Sequence, residues 1–435
     1  MKNKIQIVKG TRDFYPEAMA QRNWLYANLR AAAQLFGYQE YDGPFIETLE
    51  LYAAKSGEEL VKEQSFVFTD RGGEQVTLRP ELTPSLARMV ATRQGQLPRP
   101  IRWWSFGPFW RYERPQKGRA REFYQWNVDL LGVDSPAADA ELAAVGVTFF
   151  RLVGLTPNEI RLKFNNRRLM DGEIAALGLS ELKSQVFRLI DRREKMSAQA
   201  WEKYAGEQGL TPAQFDGLQV VLNNRDLWQK SDEARAFVEA AEALGIGEFL
   251  EFDPTVIRGL DYYTGNVMEA WDRDGEFRSI FGGGRYDNLV GDVGGDPVPG
   301  VGFAMGDMVM GLVAQKFGKT PALRASPAEV LVTIFDKTSV TESLRLAAEL
   351  RAGGVKAEWY PEPAKLERQL KYADATGVRF AAIVGPDELA QGQVTLRDLA
   401  ERSQARVARG ELVGELKQRL AGNEHAVYLA GRLRP

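Results

Sequence analysis

The sequence predicts an α+β fold: an antiparallel sheet with helices packed on it, an inserted helical subdomain, and a C-terminal α/β module with a mixed sheet. Three observations support this prediction. Aromatic-rich strand signals recur over the first part of the chain, with helical segments between them. They vanish over 181–243, a charged and helical stretch, and strands alternate with helices from residue 329 onward. We therefore expect two domains, 1–325 with a helical insertion at about 172–245, and 326–435.

Hydrophobic periodicity and turn residues locate the elements of the first part. Apolar residues at helical spacing predict a helix over 17–36, ended by Gly37, and a second over 84–92. Glu47 is expected to begin a further short helix. Strands are expected over 38–46 (interrupted at Gly43-Pro44), 66–68, 75–78, 103–111, 122–131 and 249–252, and strand character from 267 through 281.

The character of the chain changes again at Lys319. A Pro-containing linker over 319–327 leads to a module of about 100 residues. Its expected elements are strand 329–335, helix 340–352, strand 355–360, helix 365–375 and strand 380–384. This alternation predicts a compact α/β domain with a mixed sheet.

The composition excludes several classes of chemistry. None of the 435 residues is cysteine, which removes disulfides, thiolate zinc sites and cysteine nucleophiles. The one histidine, His425, lies in an expected C-terminal tail, so no histidine triad or histidine-ligated metal cluster can form. We expect no protein metal site. Carboxylates, Arg, Lys, Tyr, amides and metal-bound phosphate must therefore carry any reaction.

Charge and hydropathy indicate an ordinary globular protein. Hydrophobic residues make up 44% and charged residues 26%, and the net charge of −3 neither favours nor excludes a nucleic-acid partner. No apolar run approaches the roughly 18–20 residues of a membrane helix. The start of the chain has no signal-peptide pattern. We therefore expect a cytoplasmic protein without membrane contact.

The most informative segment is an arginine-rich hairpin over 109–125. It reads Phe-Trp-Arg-Tyr-Glu-Arg-Pro-Gln-Lys-Gly-Arg-Ala-Arg-Glu-Phe-Tyr-Gln, two aromatic strands around a Pro–Gly turn. Arg111, on the strand side, can aim its planar guanidinium at a phosphate. Lys117, Arg119 and Arg121 lie at or beyond the tip, where they can meet a second polyanion. The alternative is a solvated basic hairpin.

Two pairs of polar residues are candidate substrate contacts. Glu81 and Thr83 are two residues apart, so in extended backbone both point to one face, where they suit an ammonium group. The alternative is a helix N-cap at Thr83 with Pro84 at the first helical position. Gln125 and Asp129 share a strand face and predict a small-molecule pocket, in which Asp129 can accept an N–H from a neutral heteroaromatic ring. Solvated polar groups at a strand end are the alternative.

A second dense constellation reads Arg-Gly-Leu-Asp-Tyr-Tyr-Thr-Gly over 258–265. It places the charged fork of Arg258 beside Tyr262 and Tyr263, whose rings can wall a flat ligand. A structural tyrosine pair is the alternative. The triple glycine 282–284 offers backbone bare enough for close ligand approach, or forms only a hairpin bend or bulge.

These motifs resemble those of the class II aminoacyl-tRNA synthetases, and of the histidyl-tRNA synthetase family in particular. The 109–125 hairpin is similar to motif 2, and Arg-Gly-Leu-Asp-Tyr-Tyr-Thr-Gly is similar to the family's histidine-specific motif. The 36–44 segment resembles motif 1, the dimer interface. The likeness begins at Lys-Gly-Thr-Arg-Asp, residues 9–13, and reaches an anticodon-binding domain through 365–373 and 394–396.

The resemblance implies a role for each candidate residue. Asp129, in place of the usual glutamate, would face the imidazole, and Arg258 would stabilise charge during adenylation. The implied catalytic residues are Arg258, Arg111 and Gln125. The implied histidine-binding residues are Glu81, Thr83, Gln125, Asp129, Arg258, Tyr262 and Tyr263. The implied ATP-binding residues are Arg111, Glu113, Arg119 and Arg121. The implied contacts to the tRNA acceptor end are Gln116, Lys117 and Arg119.

One departure from the family pattern affects the ATP site. Motif 3 normally continues Gly-Phe-Ala-Met-Gly with Leu-Glu-Arg-Leu, whose arginine clamps the γ-phosphate. Here the continuation is Asp-Met-Val-Met, and Val309 stands in the arginine's place. Either Arg119, Arg121 or Arg285 supplies the charge instead, or ATP use is impaired. The second case is similar to the regulatory paralogue of ATP phosphoribosyltransferase, which normally lacks the anticodon-binding domain that 329–420 resembles.

The resemblance therefore implies ATP-dependent ligation of L-histidine to tRNA(His) through a histidyl-adenylate, with release of AMP and pyrophosphate. ATP is the expected substrate, and Mg²⁺ is expected to bridge its phosphates. The implied partners are tRNA(His), L-histidine and a second copy of the chain in a homodimer. Residues 1–325 would form the class II catalytic domain, and 326–435 the anticodon-binding domain with a tail.

Overall fold

The structure is a computed structural model of the chain, and it describes residues 5–53, 64–116, 118–257, 263–323 and 326–421. It divides into two compact units. The first holds the described residues up to Asp13 together with Tyr26–Thr320, and the second holds Phe14–Leu25 with the described residues from Pro321 onward. The expected domain boundary at residue 325 lies outside the described ranges and stays a prediction.

An eight-stranded sheet forms the frame of the first unit. The strands of this unit are β1 Gln39–Glu40, β2 Ile46–Thr48, β3 Phe66–Thr69, β4 Gln75–Leu78, β5 Ile101–Trp110, β6 Glu122–Leu131, β7 Ile160–Asn166, β8 Leu250–Phe252, β9 Asn266–Asp272, β10 Phe281–Tyr286 and β11 Gly300–Gly306. The large sheet has the order β1-β5-β6-β11-β10-β9-β7-β8, and a small one has the order β2-β4-β3. The inner pairs of the large sheet are antiparallel, whereas the edge pairs β1–β5 and β7–β8 are parallel.

Ten helices lie between residues 16 and 316 within the described ranges, and residues 16–25 of the first belong to the second unit. They are α1 Pro16–Leu35, α2 Leu49–Ala53, α3 Thr83–Arg93, α4 Pro136–Leu152, α5 Arg167–Ala176, α6 Lys183–Arg192, α7 Ala198–Glu207, α8 Pro212–Asn223, α9 Asp232–Ala243 and α10 Asp307–Lys316. The helices α6 to α9 follow one another without a described strand between them. This agrees with the helical character expected there, and the limits of the insertion stay a prediction.

The helix α4 covers one face of the large sheet. Ser135 caps its N-terminus by accepting the N–H of Ala137, and Pro136 occupies the first turn. The helix is apolar on nearly all sides and is buried, as that pattern requires. The Phe149 ring of α4 lies 5.7 Å from that of Trp126 on β6. Because α4 occupies this face, ligands must approach the sheet from the other one.

The second unit is built on a five-stranded sheet. Its elements are β12 Val330–Val332, α11 Val340–Ala352, β13 Ala357–Trp359, α12 Leu366–Thr376, β14 Phe380–Ile383, α13 Pro386–Ala390, β15 Gln393–Asp398, β16 Ser403–Ala408 and α14 Leu412–Ala421. The order is β13-β12-β14-β15-β16, with parallel pairs around β12 and antiparallel pairs from β14 to β16. Phe380, Leu350 and Leu416, all 0% exposed, belong to its core.

The predicted fold class is confirmed: an antiparallel core sheet with helices, and a C-terminal module with a mixed sheet. One local boundary differs from the expectation. The helix expected to begin at Glu47 begins at Leu49, because Glu47 lies in β2 opposite Thr77, where its carboxylate accepts a hydrogen bond from Arg88 at 2.7 Å. Strand pairing and this ion pair outweigh the local helix preference of glutamate. None of the described helices is long and apolar enough to cross a membrane.

Candidate active site

On the face of the large sheet opposite α4, polar side chains of β6 lie beside small residues of β11. Gln125, Asn127 and Asp129 are two residues apart on β6 and therefore point to the same side. Their register partners on β11 are, in that order, Gly306, Ala304 and Gly302. A Cβ built on Gly306 would meet no atom within 4 Å. The adjacent strand thus leaves room for a ligand beside these polar groups.

Asp129 is the buried carboxyl group of this face. It is 4% exposed, and its Oδ1 accepts a hydrogen bond from the Tyr286 hydroxyl at 2.5 Å. Burial raises the pKa of Asp129 from 3.8 to about 7, although the bond from Tyr286 lowers it. A carboxyl group that ionises near neutral pH can accept a hydrogen bond from a ligand N–H.

The glycines of β10 and β11 make room for neighbouring protein groups. A side chain on Gly302 would collide with the Asp129 carboxylate, and one on Gly283 would collide with the backbone of β11. A Cβ on Gly284 would lie 2.9 Å from the Tyr263 ring. The 282–284 tract is therefore neither a hairpin bend nor a bulge, since it forms the interior of β10. Glycine is required there because strand and side chains approach closely.

Four buried polar atoms along this face have no hydrogen-bond partner among the described residues: Arg79 Nη2 beside Gly107, the register partner of Gln125, and Tyr41 Oη, Ser105 Oγ and Asn127 Nδ2 nearer to Asp129. Ser105 and Asn127 are register partners, and the Tyr41 ring lies 5.2 Å from that of Trp103, the partner of Asp129. Unsatisfied buried polar atoms are rare in folded proteins, and a catalytic or binding role is one explanation for them. Sequence reasoning missed these residues, because only strand register brings them together.

Arg111 extends the ladder beyond β5. Its N–H donates to the Arg121 carbonyl at 2.9 Å, and its Nε donates to the Pro80 carbonyl at 2.9 Å. The guanidinium also lies 5.4 Å from the Phe123 ring centroid. These contacts hold the guanidinium against the sheet face that carries Gln125, two residues along β6 from Phe123. Its placement agrees with the expected strand-side position.

Two further cations of the hairpin, Arg119 and Arg121, contact neighbouring protein groups. Arg119 forms an ion pair with Glu113, whose side chain is 8% exposed. Arg121 lies 4.1 Å from the Tyr112 ring centroid, and its Nε donates to the Glu113 carbonyl. Both arginines therefore already have protein partners, and their contacts with a polyanion stay predictions. Gln116 is exposed, and Lys117 lies outside the described residues.

The structure corrects the local geometry of Glu81 and Thr83. Leu82 between them has helical dihedral angles, φ −102 and ψ −26, so the extended backbone assumed for this pair is wrong. The N-cap at Thr83 is also wrong, because Leu82 is the N-cap and Thr83 is the first residue of α3. The Glu81 carbonyl accepts a hydrogen bond from the Tyr52 hydroxyl at 3.1 Å. The binding roles of Glu81 and Thr83 stay predictions.

Arg285 is not available to replace the family's motif 3 arginine, whose position Val309 occupies here. Its side chain is 0% exposed, and it binds Asp139 at 2.5 Å as well as the carbonyls of Val133 and Ser135. A guanidinium with these buried partners is structural, because removing it from them would leave charges unpaired. Val309 is 8% exposed in the first turn of α10 and takes part in apolar packing.

Of the 258–265 constellation, the structure describes Tyr263, Thr264 and Gly265. Tyr263 is 8% exposed and packs in one cluster with Tyr286 and Val267. It thus belongs to the same core cluster as the residue that binds Asp129. Arg258 and Tyr262 fall outside the described residues, so their roles stay predictions.

A cavity of about 470 Å³ lies elsewhere, at the β8 edge of the sheet. Its lining includes Phe164, Trp228 and Glu242, and none of the candidate site residues. The polar face around Asp129 is therefore the better candidate, because it combines buried polar atoms, small neighbours and a carboxyl group with a raised pKa.

Two family models match the chain. The model described as histidyl-tRNA synthetase matches residues 10–307, and the one described as anticodon binding domain matches residues 329–419. A histidine–tRNA ligase of Opitutus terrae is 38% identical over 94% of this chain and 97% of its own. The chloroplastic/mitochondrial histidine–tRNA ligase of Arabidopsis thaliana is 37% identical over 93% of this chain and 85% of its own.

Solved structures show the same architecture. A histidyl-tRNA synthetase from Nostoc has a TM-score of 0.83 at 25% identity, over 96% of this chain and all of its own. An apo histidyl-tRNA synthetase from S. aureus, 24% identical, has a TM-score of 0.72 over 95% of this chain and all of its own. Taken with the matches over residues 10–307 and 329–419, these likenesses show that the chain belongs to the histidyl-tRNA synthetase family of class II aminoacyl-tRNA synthetases.

Proposed function

We propose that the chain is a histidine–tRNA ligase that attaches L-histidine to tRNA(His) in two steps. In the first, a histidine carboxylate oxygen attacks the α-phosphorus of ATP, and histidyl-adenylate and pyrophosphate form. In the second, a hydroxyl of the tRNA terminal ribose attacks the acyl carbon, the mixed anhydride breaks, and AMP leaves. Both steps depend on positioning and charge stabilisation, which suits a chain with a single histidine.

Asp129 carries this proposal. It is a buried carboxyl group held by Tyr286 at the back of a face whose neighbours on β11 are small. An ionised Asp129 accepts an N–H of the histidine imidazole, and Tyr263 and Tyr262 wall the ring. Gln125, further along the same face, binds the histidine carboxylate. Glu81 and Thr83 complete the histidine site by binding the ammonium group.

ATP occupies the hairpin end of the same face. Arg111 binds the α-phosphate, and Arg258 stabilises the charge that develops during adenylation. Glu113, Arg119 and Arg121 contact the rest of the nucleotide, for which the Arg119–Glu113 ion pair must exchange partners. Mg²⁺ enters with ATP as part of that substrate and bridges its phosphates. Arg119 or Arg121 takes the place of the γ-phosphate arginine that the family has at the position of Val309. Arg285 is not available for this role, because it forms an ion pair with Asp139.

Macromolecular partners follow from the same family likeness. Gln116, Lys117 and Arg119 contact the tRNA acceptor end, and residues 326–435 bind the anticodon region. The catalytic domain, 1–325, acts as a homodimer through the 36–44 segment. We place the protein in the cytoplasm, as the sequence predicts.

A regulatory subunit of ATP phosphoribosyltransferase is the less supported alternative. A Bacillus halodurans protein described as an ATP phosphoribosyltransferase regulatory subunit/histidyl-tRNA synthetase has a structure with a TM-score of 0.72 at 20% identity. That likeness shows the fold alone. The match of residues 329–419 to an anticodon binding domain favours the ligase.

Pyrophosphate exchange with each amino acid in turn tests the proposal. We expect ATP–pyrophosphate exchange with histidine and none with the other amino acids, followed by histidine transfer to tRNA(His). Exchange with a different amino acid would contradict the assigned substrate. A complete lack of exchange with the intact protein would favour the regulatory subunit.

We expect Asp129→Asn to impair histidine use and spare ATP. Replacing a charged acceptor by an amide should raise the KM for histidine about 10- to 100-fold, the range for one hydrogen bond to a charged group. The KM for ATP should change little. Steady-state exchange kinetics with each substrate varied separately provide the measurement. A rise in the KM for ATP alone would contradict the placement of Asp129 in the histidine site.

The raised pKa of Asp129 predicts a pH dependence. Since the folded-state pKa is about 7, the carboxylate that binds the imidazole forms only as the pH rises through that value. The kcat/KM for histidine should therefore increase with pH around 7. In Asp129→Asn, the part of this pH dependence that comes from ionisation of Asp129 should disappear. The part that comes from ionisation of the histidine imidazole should remain. Tyr286→Phe should shift the midpoint upward, because the Tyr286 hydrogen bond lowers the pKa of Asp129. Identical profiles in all three proteins would contradict the assignment.

A further inference from the structure

The backbone of Arg79 joins three segments at the hairpin end of the polar face. Its N–H donates to the Phe45 carbonyl at 2.9 Å, and its carbonyl accepts the N–H of Trp110 at 3.1 Å. Arg79 directly follows β4, Phe45 directly precedes β2, and Trp110 is the last residue of β5. The chain that leads to Glu81 is therefore paired with the strand end that leads to Arg111.

The Arg79 side chain fastens the same three segments. Its Nε donates to the Pro108 carbonyl at 3.0 Å. Its Nη1 donates to the Asp42 carboxylate at 2.6 Å and to the Gly43 carbonyl at 3.0 Å. The side chain is 0% exposed, so water does not compete for these bonds.

Two aromatic rings hold the guanidinium in place. The Arg79 Cζ lies 4.5 Å from the ring centroid of Phe45 and 4.7 Å from that of Phe109. A cation over an aromatic face is attracted by the ring, most strongly where water is excluded. Because an uncompensated buried guanidinium is very costly, the rings and the ion pair with Asp42 together restrict it to one position.

This guanidinium lies on the face of the candidate site. Gly107 is the register partner of Gln125, and partners across two strands point to the same side. A Cβ on Gly107 would collide with Arg79 Nη2, which therefore occupies the space over Gly107. Nη2 is buried without a hydrogen-bond partner among the described residues. Since a buried donor without a partner lowers stability, stability alone does not account for an arginine here.

One hydrogen bond connects this arrangement to Arg111, the proposed α-phosphate ligand. Pro80 directly follows Arg79, and its carbonyl accepts a hydrogen bond from Arg111 Nε at 2.9 Å. Pro108, which Arg79 Nε binds, lies three residues before Arg111. Arg79 thus holds both the carbonyl that Arg111 binds and the strand end that carries Arg111.

We propose that Arg79 is a positioning residue for adenylation: by fastening Pro80 to the end of β5, it sets the orientation of the Arg111 guanidinium toward the α-phosphate of ATP. This inference rests on the proposed function. Because Arg79 acts through Arg111, its loss should lower the rate of the chemical step more than it weakens the binding of either substrate.

Two substitutions disturb this arrangement in different ways. Arg79→Lys keeps the charge and loses the planar fork that binds Asp42 and Pro108 together. We expect it to lower kcat for histidine-dependent pyrophosphate exchange by roughly 10- to 100-fold, as misplacement of a catalytic group does. Gly107→Ala keeps Arg79 and displaces its guanidinium, so it should also lower kcat. It should add little to Arg79→Lys, because both changes act on the same group.

Arg102→Met is the matched control. Arg102 also lies on β5, and it binds the Glu141 carboxylate of α4 through two hydrogen bonds, at 2.8 and 3.0 Å. The substitution removes an arginine–carboxylate ion pair from the same strand and keeps the contacts of Arg79. Its kcat should stay within about twofold of that of the unchanged protein. Equal losses in Arg102→Met and Arg79→Lys would overturn the proposal.

A double-mutant cycle with Arg111→Lys distinguishes positioning from a general structural role. If Arg79 acts through Arg111, Arg79→Lys should lower kcat by a much smaller factor in the Arg111→Lys background than in the unchanged protein. Equal factors in both backgrounds would overturn the proposal, as would a folded Arg79→Lys with unchanged kcat. If Arg79→Lys does not fold, the same cycle with Gly107→Ala decides by the same criteria.

Hydrogen exchange separates this inference from the proposed function. The amides of Trp110 and Arg111 should exchange faster in Arg79→Lys than in the unchanged protein, and not in Arg102→Met. If the unchanged protein shows no histidine-dependent exchange of pyrophosphate, the proposed function fails. Hydrogen exchange then still decides whether Arg79 fastens the end of β5: unaltered protection of these amides would overturn that contact, and faster exchange would support it.

Discussion

Arg258→Ala is expected to lower histidine-dependent pyrophosphate exchange by about 10²- to 10³-fold. Loss of one preorganised donor to a developing charge typically raises the activation barrier by about 2.7–4 kcal/mol. The developing charge on the α-phosphoryl group exists only along the adenylation step, so kcat should fall more than histidine binding weakens. Exchange kinetics combined with equilibrium histidine binding measure the two effects separately.

Arg258→Lys is the control for this variant. It retains a positive charge but not the planar fork, so its activity should lie between those of the alanine variant and the unchanged protein. Near-normal exchange by Arg258→Ala would remove Arg258 from the catalytic role. A loss of histidine binding equal to the loss in kcat/KM would assign it to substrate binding instead.

Removal of the residues after 325 is expected to abolish most tRNA charging and to spare adenylation. The candidate active site lies within the first unit, on the large sheet formed by β1 and β5 to β11. The fragment 1–325 should therefore perform histidine-dependent pyrophosphate exchange if it stays folded and dimeric. Transfer of histidine to tRNA should fall sharply, because only the hairpin contacts to the acceptor end remain.

Salt dependence shows which tRNA contacts survive in this fragment. Contacts from arginine and lysine to phosphates release counterions, so the residual tRNA binding should weaken steeply as the salt concentration rises. Circular dichroism and a size measurement establish that the fragment is folded and dimeric. Full aminoacylation by the folded fragment would show that residues 326–435 have another role.

Local sequence patterns predicted much of the fold because they report short-range physics. The strands β5 and β6 and the helices α3, α11 and α12 were expected near their observed limits, since periodicity and turn residues determine them. Sequence reasoning did not predict α4. The periodicity of the short apolar run 142–150 does not distinguish a buried helix from a buried strand, and packing on the sheet decides between them.

In the candidate site, too, local spacing predicted some features and the tertiary structure decided the others. Gln125 and Asp129 could be placed on one face from their spacing alone, because side chains alternate along a strand. The roles of Arg119, Arg121 and Arg285 could not, because partners distant in sequence determine whether an arginine is available. Arg285 binds Asp139, which is 146 positions away in the chain.

The sequence by itself determined the family motifs and the strand that carries Asp129. It also excluded mechanisms that depend on cysteine side chains or on a cluster of histidine side chains. These depend on residue identity and local spacing. Only the tertiary structure decided which polar atoms meet: the Tyr286 hydroxyl binds the Asp129 carboxylate, and Ser105 lies opposite Asn127. Strand register and helix packing set these encounters. Both arise from burial of the whole core, which no single segment encodes.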